Sequence, residues 1–300
     1  MDFNELKRNR SNSLESLQRE LEEVSGKKSK KSYRDERFWE PTVDKMKNGS
    51  ALLWFIPDPN GLNFVKVYSH TFKGPSGRWY IENCRSTIGE SDPVMDYNRP
   101  FWDRGEGALV RSQSRKTHFY SNIKVVKDSL APENEGKVFL FKYGLKIFEK
   151  INNLSYPPFD DEGRAKGSDD YNPTNALDPF SMWEGANFRL LIQSDNNMRN
   201  YDMSKFDMQS AMGSDEEIEE TWKQGYDVTE FTKPANFKSY ADLQNLLYNT
   251  LGLQMDSIES KPVTAEAKMD AVEKKAAPAI PVAGMDDDDL DLDKLMDELG

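Results

Sequence analysis

Two segments that follow one another in the chain decide the fold: THFYSNIKVVKD at residues 117–128 and KVFLFKYG at residues 137–144. Both alternate β-branched or aromatic residues with polar ones, a period of two that predicts a β-strand with one buried face. The PENEG sequence at residues 132–136 lies between them and contains proline, asparagine and glycine, which favour a turn. We therefore predict two strands joined by a short turn.

The same strand pattern extends over residues 50–152, and turn sequences such as Pro-Asn-Gly and Gly-Pro-Ser-Gly separate its segments. Several short strands linked by turns are typical of a β-sandwich or a small barrel. A long polar loop is predicted at residues 155–179. The other predicted elements are strands at 51–57, 62–72, 77–84 and 187–193 and helices at 214–225 and 237–251. The predicted fold class is mainly β with added helices, an α+β protein.

The composition favours a cytoplasmic protein with polar appendages. The 300 residues carry a formal net charge of −12, and 31% of them are charged against 37% that are hydrophobic. A transmembrane helix needs about 18 consecutive apolar residues, and the sequence contains no such run. The N-terminus is basic but lacks the apolar segment of a signal peptide. The single cysteine, Cys84, excludes an internal disulfide framework and fits a reducing compartment.

The acidic residues are concentrated in two places. Residues 286–300 contain eight acidic residues and one lysine, and residues 214–230 contain seven acidic residues and one lysine. Residues 99–150, by contrast, carry eleven lysines and arginines against six acids. A basic region beside an acidic tail indicates a core that binds polyanions and a tail that mimics them. Composition alone favours the simpler explanation, an ordinary solvated surface.

Motifs of well-known enzyme classes are missing from the sequence. It contains no GxxxxGK[ST], GxGxxG, HExxH or GxSxG motif, and its only histidines are His70 and His118. A lone cysteine within a strand is far more often buried filler than a nucleophile. We therefore expect a protein without enzymatic activity.

A binding function has the stronger signal, because cations and aromatic residues are interleaved in two segments at residues 111–127 and 139–150. Cations neutralise phosphates and exposed aromatic rings stack on unpaired bases, so this mixture favours single-stranded nucleic acid over duplex. Strand alternation would nevertheless bury about half of the aromatic rings. The binding residues predicted from this pattern are Arg111, Arg115, Lys116, Phe119, Tyr120, Lys142 and Lys146.

Four longer strings carry a resemblance to a known family: WYIENCRST at 79–87, VVKDSLAPENEGKVF at 125–139, WEGANF at 183–188 and NYDMSKFDMQSA at 200–211. They closely resemble the helix-destabilising, single-stranded DNA-binding proteins of T-even-type bacteriophages. That family combines a basic N-terminal arm, a core built on an OB-fold and an acidic C-terminal tail. The resemblance therefore implies an OB-fold-type core with a small inserted subdomain.

The resemblance also implies how the chain is divided. Residues 1–30 would be the basic arm and an amphipathic helix that give cooperativity, unless the helix simply packs on its own core. Residues 31–253 would form the DNA-binding core, with residues 70–105 as a subdomain equivalent to the family's zinc region. Residues 254–300 would be a disordered linker and an acidic tail that binds partner proteins.

Individual roles follow from matching positions. The implied additional DNA contacts are Trp79, Tyr80, Tyr201 and Lys205. The implied contacts between neighbouring subunits are Lys7, Arg8, Arg10 and Ser11. In the tail, acids alternate with leucines, which indicates a short motif that folds on contact with a partner. The predicted partner-binding residues are Asp289, Leu290, Asp291, Leu292, Leu295 and Leu299.

The metal site is where the sequence departs most from the family, whose members hold a structural zinc with one histidine and three cysteines. His70 and Cys84 occupy matching positions, but Asp92 and Met95 stand where the family has its other two cysteines. A closed structural zinc site needs four Cys or His ligands, and a thioether is a poor substitute for a thiolate. A site made of His70, Cys84 and Asp92 stays open as the alternative. The favoured expectation is that the zinc is lost, that no residue binds metal and that the protein has no cofactor.

The function implied by the resemblance is cooperative, sequence-independent binding of single-stranded DNA in phage replication, recombination and repair. The expected partners are single-stranded DNA, further copies of the chain along the DNA, and replication and recombination proteins bound by the tail, with no membrane involved. The expected location is the cytoplasm of the infected bacterial host. Two alternatives stay open: an RNA-binding regulator on the same fold, and a nuclease.

Overall fold

The structure is a computed structural model that describes residues 35–195 and 198–253. The chain divides into two units, Met1–Arg37 and Phe38–Gly300, and the strands and helices named here belong to the second. The strands are β1 (Gly49–Ile56), β2 (Val65–Lys73), β3 (Trp79–Asn83), β4 (Lys116–Asp128), β5 (Val138–Tyr143), β6 (Phe188–Asp195), β7 (Met198–Asn200) and β8 (Lys205–Phe206). The described α-helices are α1 (Pro93–Asp103), α2 (Gly107–Ser112), α3 (Leu145–Ser155), α4 (Asp215–Trp222) and α5 (Tyr240–Leu251).

Strand β4 is the centre of the sheet, because neighbours pair with both of its edges. On one edge, β2 pairs with its first half, from Lys116 to Tyr120, and β1 pairs with its second half, from Asn122 to Asp128. On the other edge, β5 pairs with the middle of β4. The strand order is β3-β2-β4-β1-β6-β7, with β5 attached to β4 and β8 attached to β6. All of these pairs are antiparallel.

Alternation along β4 sends successive side chains into different environments. Phe119 and Ile123 enter the largest apolar cluster, where they pack with Phe55 of β1 and other buried residues. Helix α3 covers this cluster, and the ring of its Phe148 stacks on Phe119 with centroids 3.9 Å apart. Burial of large rings is a main source of folding energy. The next residue in β4, Tyr120, is left on the opposite face.

A second apolar cluster, which we call the α5 cluster, joins the region after β3 to the sheet. Tyr80 of β3 stacks on Phe72 of β2, with ring centroids 5.1 Å apart and planes inclined by 12°. Val94 of α1 and Leu243 and Leu247 of α5 complete the cluster, and all five residues are buried. The cluster therefore holds two helices against the β2–β3 hairpin.

The α+β class predicted from the sequence is confirmed, and the helices predicted at 214–225 and 237–251 are α4 and α5. The first three helices are additions that the strand pattern over residues 50–152 did not predict. Proline normally breaks a helix, and α1 contains Pro100 in its interior. Helix α2 has only six residues, which is too short to show an apolar period. None of the described helices is long and apolar enough to cross a membrane.

The α5 cluster generates a prediction about stability. Leu247→Ala removes a fully buried side chain and leaves a cavity, so we expect the free energy of unfolding to fall by about 2–5 kcal/mol. Leu246→Ala is the matched control, because its side chain on the same helix is only partly buried and should cost clearly less. Denaturant unfolding of both variants measures the difference, and equal losses would contradict the described packing.

Candidate nucleic-acid interface and metal centre

Three partly exposed aromatic rings, which we call the Tyr120 cluster, lie together beside β4. Tyr120 stacks on Phe231 of the 3-10 helix Val228–Thr232, with ring centroids 4.5 Å apart and planes inclined by 16°. Phe38, the third member, packs edge-on against both rings, with centroid distances of 5.9 Å and 5.6 Å. Burial raises the pKa of Tyr120 to about 12, so its phenol is neutral at physiological pH. The cluster is an uncharged aromatic surface.

One lysine lies next to the Tyr120 cluster, and a second lies further along the same face of β4. Lys142 is directly opposite Tyr120 in β5, and its ammonium is 6.0 Å from the centroid of the Tyr120 ring. His118 and Lys116 share the Tyr120 face of β4, because each is an even number of residues away. Burial above all, and then the charges of Lys142 and Lys116, lower the pKa of His118 to about 3. The imidazole is therefore neutral, and the positive charge of this surface comes from the two lysines.

A second cation–aromatic group lies at the start of β4. The guanidinium carbon of Arg115 is 4.0 Å from the ring centroid of Tyr68, and Lys66 Nζ is 5.2 Å from the same centroid. Both distances are within the range of a cation–π interaction. The Lys66 ammonium is the main reason that the pKa of Tyr68 lies below its ordinary value. Sequence reasoning missed Lys66 and Tyr68, although their spacing of two in a predicted strand places them on one face.

Three of the predicted DNA contacts are buried in the core. The exposed fraction is 0% for Tyr80, 3% for Phe119 and 5% for Tyr201. Tyr80 belongs to the α5 cluster, while Phe119 and Tyr201 belong to the largest apolar cluster. In this geometry all three rings pack in apolar clusters, and their contact with DNA stays a prediction. Alternation is the reason that Phe119 is buried, since adjacent strand residues such as Phe119 and Tyr120 cannot both face outwards.

The other predicted contacts in the core region are accessible. The exposed ones are Arg111, Arg115 and Lys205, and the partly exposed ones are Trp79, Tyr120, Lys116, Lys142 and Lys146. The Trp79 ring also has a cation near it, since Lys73 Nζ is 5.6 Å from its centroid. Their contact with DNA stays a prediction. The predicted neighbour-binding residues of the arm and partner-binding residues of the tail lie outside the described residues.

Three buried side chains that can hold a metal ion meet where β2, β3 and α1 come together. His70, Cys84 and Asp92 each offer one ligand atom, and these atoms lie within 4.8 Å of one another. His70 is in β2, Cys84 directly follows β3, and Asp92 is the N-cap of α1. His70 Nδ1 lies 2.9 Å from the carbonyl oxygen of Gln113, while its buried Nε2 faces the Asp92 carboxylate without a well-formed hydrogen bond. Histidine ligands typically donate from one ring nitrogen in this way and bind metal with the other.

The protonation of His70 decides when this group can bind a metal. Burial by itself lowers the pKa of His70, but hydrogen bonding and charge from Asp92 and Cys84 outweigh it and raise the pKa to about 9. Asp92 Oδ1 lies 3.4 Å from His70 Nε2. This contact helps to hold the pKa of Asp92 below its ordinary value despite burial. Without metal, His70 is protonated at neutral pH, and a metal must displace that proton.

The expectation that no residue binds metal is therefore wrong. Asp92 replaces a family cysteine with a carboxylate, which is itself a zinc ligand, and the fold brings it to His70 and Cys84 despite the altered spacing. Nitrogen, thiolate and carboxylate donors suit Zn²⁺ and related transition metals. Met95 Sδ lies 3.9 Å from Cys84 Sγ and borders the group. A metal bound by these three ligands would join β2, the end of β3 and the start of α1.

Comparison with known proteins places these features in context. A family model described as "gp32 DNA binding protein like" matches residues 47–250. The "Single-stranded DNA-binding protein" of Enterobacteria phage T2 is 36% identical over 267 residues, which cover 85% of this chain and 83% of that protein. The protein of the same description from Enterobacteria phage T4 is 35% identical over 267 residues, with the same coverage. These matches confirm the resemblance carried by the four sequence strings.

The metal ligands generate a prediction about thermal stability. Zn²⁺ added to metal-free protein should raise the melting temperature, because it binds the folded ligand group and not the unfolded chain. Its affinity should rise with pH up to about 9, since the proton on His70 competes with the metal. His70→Ala and Cys84→Ala should lose the effect, whereas His118→Ala should keep it. A melting temperature that does not respond to Zn²⁺ or to a chelator would contradict the site.

His118 generates a prediction about pH. Its folded pKa of about 3 lies below the ordinary value of 6.5, so the unfolded chain binds a proton that the folded chain does not. Its contribution to stability is therefore present above pH 6.5 and lost as the pH falls, by at most about 1.4 kcal/mol per pH unit. Denaturant unfolding between pH 7 and about pH 5, above the range of most carboxylates, measures it. His118→Gln should flatten this pH dependence, and an unchanged slope would argue against the buried neutral imidazole.

Proposed function

Since the chain belongs to the family of gp32-like DNA-binding proteins, we propose that it is a bacteriophage protein that binds single-stranded DNA and has no enzymatic activity. It holds unpaired strands by stacking and by charge neutralisation. Neither interaction requires a catalytic group. Membership of a DNA-binding family supports the non-enzymatic interpretation that the missing enzyme motifs suggested.

The Tyr120 cluster and its lysines are the observation that carries this proposal. A partly exposed aromatic surface can stack on an unpaired base, and each such stack contributes about 1–3 kcal/mol. Lys142 beside it, and Lys116 further along the same face of β4, can neutralise phosphates and release counterions. A duplex hides the faces of its bases, so the combination favours single strands. Because every base has a π-face, it also favours binding that is independent of sequence.

We further propose that the core is of the OB-fold type. The long strand β4, with β1 and β2 on one edge and β5 on the other, supports this assignment. The OB-fold is a small, partly open barrel of five strands whose strand face binds oligonucleotides. In this proposal residues 31–253 form the core, and residues 70–105 are a subdomain that contains the candidate metal ligands.

We also propose a role for each end of the chain. Residues 1–30 would bind a neighbouring copy and give cooperative coating of DNA, a role supported by their cations and leucines. The acidic end of residues 254–300 would compete with DNA for the basic surface and bind replication and recombination proteins. These roles belong to DNA replication, recombination and repair in the cytoplasm of an infected bacterium.

A binding titration tests the proposed function. The full-length protein is titrated with fluorescent oligothymidylate, with the RNA of equal length and with a duplex, each at several salt concentrations. We expect the tightest binding to the single-stranded DNA, with log K falling linearly against log salt concentration. A strong preference for RNA would point to an RNA-binding regulator instead. Cleavage that depends on Mg²⁺ would point to a nuclease.

The Tyr120 cluster predicts two separable effects. Tyr120→Ala should weaken binding of oligothymidylate by about 1–3 kcal/mol with little change in the salt slope, because it removes a stacking surface. Lys142→Ala should instead reduce the slope by about 0.7, because it removes one phosphate contact.

Trp183→Ala is the control for the Tyr120 variant, because it also removes an exposed ring, which is 55% accessible. Trp183 lies in acidic surroundings, since it donates a hydrogen bond to the carboxylate of Asp215 on helix α4. This variant should bind like the parent. Equal losses in the Tyr120 and Trp183 variants would show that the Tyr120 cluster is not the stacking surface. Melting temperatures of all variants separate lost binding from lost folding.

A further inference from the structure

Arg115 is held in place by two groups from the region of the candidate metal ligands. Its Nη1 donates a hydrogen bond to the hydroxyl of Ser86 at 2.9 Å. The same nitrogen lies 3.9 Å from Sδ of Met95. These contacts fix the guanidinium over the ring of Tyr68 while Arg115 stays exposed to solvent. A phosphate can therefore reach a cation whose position is already set.

Ser86 connects Arg115 to the candidate ligand Cys84. The hydroxyl oxygen of Ser86 is 3.1 Å from Cys84 Sγ, and it can donate to the sulfur while it accepts from Arg115. The backbone N–H of Cys84 also donates to the carbonyl oxygen of Tyr68 at 2.8 Å. Both the hydrogen-bond partner and the aromatic partner of Arg115 are thus joined to the same cysteine.

The other two candidate ligands are connected to Arg115 as well. Met95 lies in the first turn of α1, and its N–H donates to the carboxylate of Asp92 at 3.4 Å. The carbonyl of Gln113, two residues before Arg115, pairs with the ring of His70 at 2.9 Å. A metal that fixes the three ligands would consequently fix the groups that surround Arg115.

We propose that Ser86 is a positioning residue for Arg115, through which metal binding at His70, Cys84 and Asp92 tightens the contact between Arg115 and a phosphate of single-stranded DNA. The inference rests on the proposed function. Metal removes freedom from the segment between Cys84 and Asp92, and Ser86 transmits that order to the guanidinium. A cation that is already ordered loses less entropy when it binds a phosphate.

Coupling of this kind is reciprocal. If Zn²⁺ tightens DNA binding by a certain factor, DNA must tighten Zn²⁺ binding by the same factor. The net contribution of one ordinary hydrogen bond corresponds to a change in an equilibrium of roughly twofold to tenfold, which sets the expected size of the factor. The effect of Zn²⁺ on DNA affinity and the effect of DNA on Zn²⁺ affinity are measured with different readouts, so each checks the other.

The experiment uses the full-length protein with and without Zn²⁺. Fluorescence titration gives the affinity for a short labelled oligothymidylate in the presence of stoichiometric Zn²⁺ and in the presence of a chelator. Competition with a metal indicator gives the Zn²⁺ affinity with and without the same unlabelled oligonucleotide. We expect Zn²⁺ to tighten DNA binding of the parent protein several-fold, with the same factor in the reverse measurement.

Ser86→Ala should bring this factor close to one and reduce the salt slope of the Zn²⁺-loaded protein by up to about 0.7. Because Ser86 also contacts the candidate ligand Cys84, the Zn²⁺ affinity of this variant without DNA is measured separately, and its DNA titrations use protein saturated with Zn²⁺. Ser86→Thr keeps the hydroxyl and should restore the factor. Arg115→Gln keeps Ser86 and all three candidate ligands and should also abolish the factor, which keeps the test decisive if Ser86→Ala folds poorly. Ser114→Ala is the matched control, because Ser114 adjoins Arg115 but donates its hydrogen bond to the carbonyl of Arg111.

Any of three results would overturn the inference. The first is a DNA affinity of the parent protein that is the same with and without Zn²⁺. The second is a Ser86→Ala variant that keeps the parent's Zn²⁺-dependent factor and salt slope, and the third is a Ser114→Ala variant that loses this factor equally. Failure of the proposed function looks different, because the parent would then not bind oligothymidylate under either condition. Tight DNA binding with a factor of one would contradict only the coupling through Ser86.

Discussion

The pairing of both edges of β4 is the constraint on which the rest of the structure depends. Hydrogen bonds to β2 and β1 on one side and to β5 on the other fix its register, and a slip of one residue would exchange its two faces. Because the register is fixed, the side chain of Phe119 lies in the core and that of Tyr120 lies on the opposite face of the strand. One strand thereby supplies both the packing that stabilises the domain and the aromatic surface proposed to bind DNA.

The region between β2 and α1 follows a different principle, since polar ligands are buried there beside an apolar cluster. A buried histidine nitrogen without a well-formed hydrogen bond is costly, and the Nε2 of His70 has only a long contact of 3.4 Å to the Asp92 carboxylate. A metal would satisfy it together with Cys84 and Asp92. The same side chains adjoin Ser86 and Gln113, which connect them to Arg115. Stability of this region and the position of a surface cation are therefore linked through a few hydrogen bonds.

Particular residues show where sequence reasoning succeeded and failed. The alternation that predicted β4 also predicted that about half of its aromatic residues would be buried, and Phe119 and Tyr120 divide in that way. Tyr80 and Tyr201, predicted as DNA contacts from matching positions, are buried, because a matching residue type carries no information about burial. The expected loss of metal binding is wrong because three ligands were weighed against the four of a closed zinc site, whereas the fold brings the Asp92 carboxylate to His70 and Cys84.

The sequence by itself determined the α+β class, the family, the basic and aromatic segments and the unequal distribution of charge, because these depend on local period, composition and matching strings. Only the tertiary structure decided that Phe231 and Phe38 join Tyr120, that Lys66 and Arg115 share Tyr68, and that three ligands separated in the chain converge. These groups come from segments far apart in sequence. Their contacts depend on sheet order, strand register and the docking of α1 and α5, which no local pattern of residues specifies.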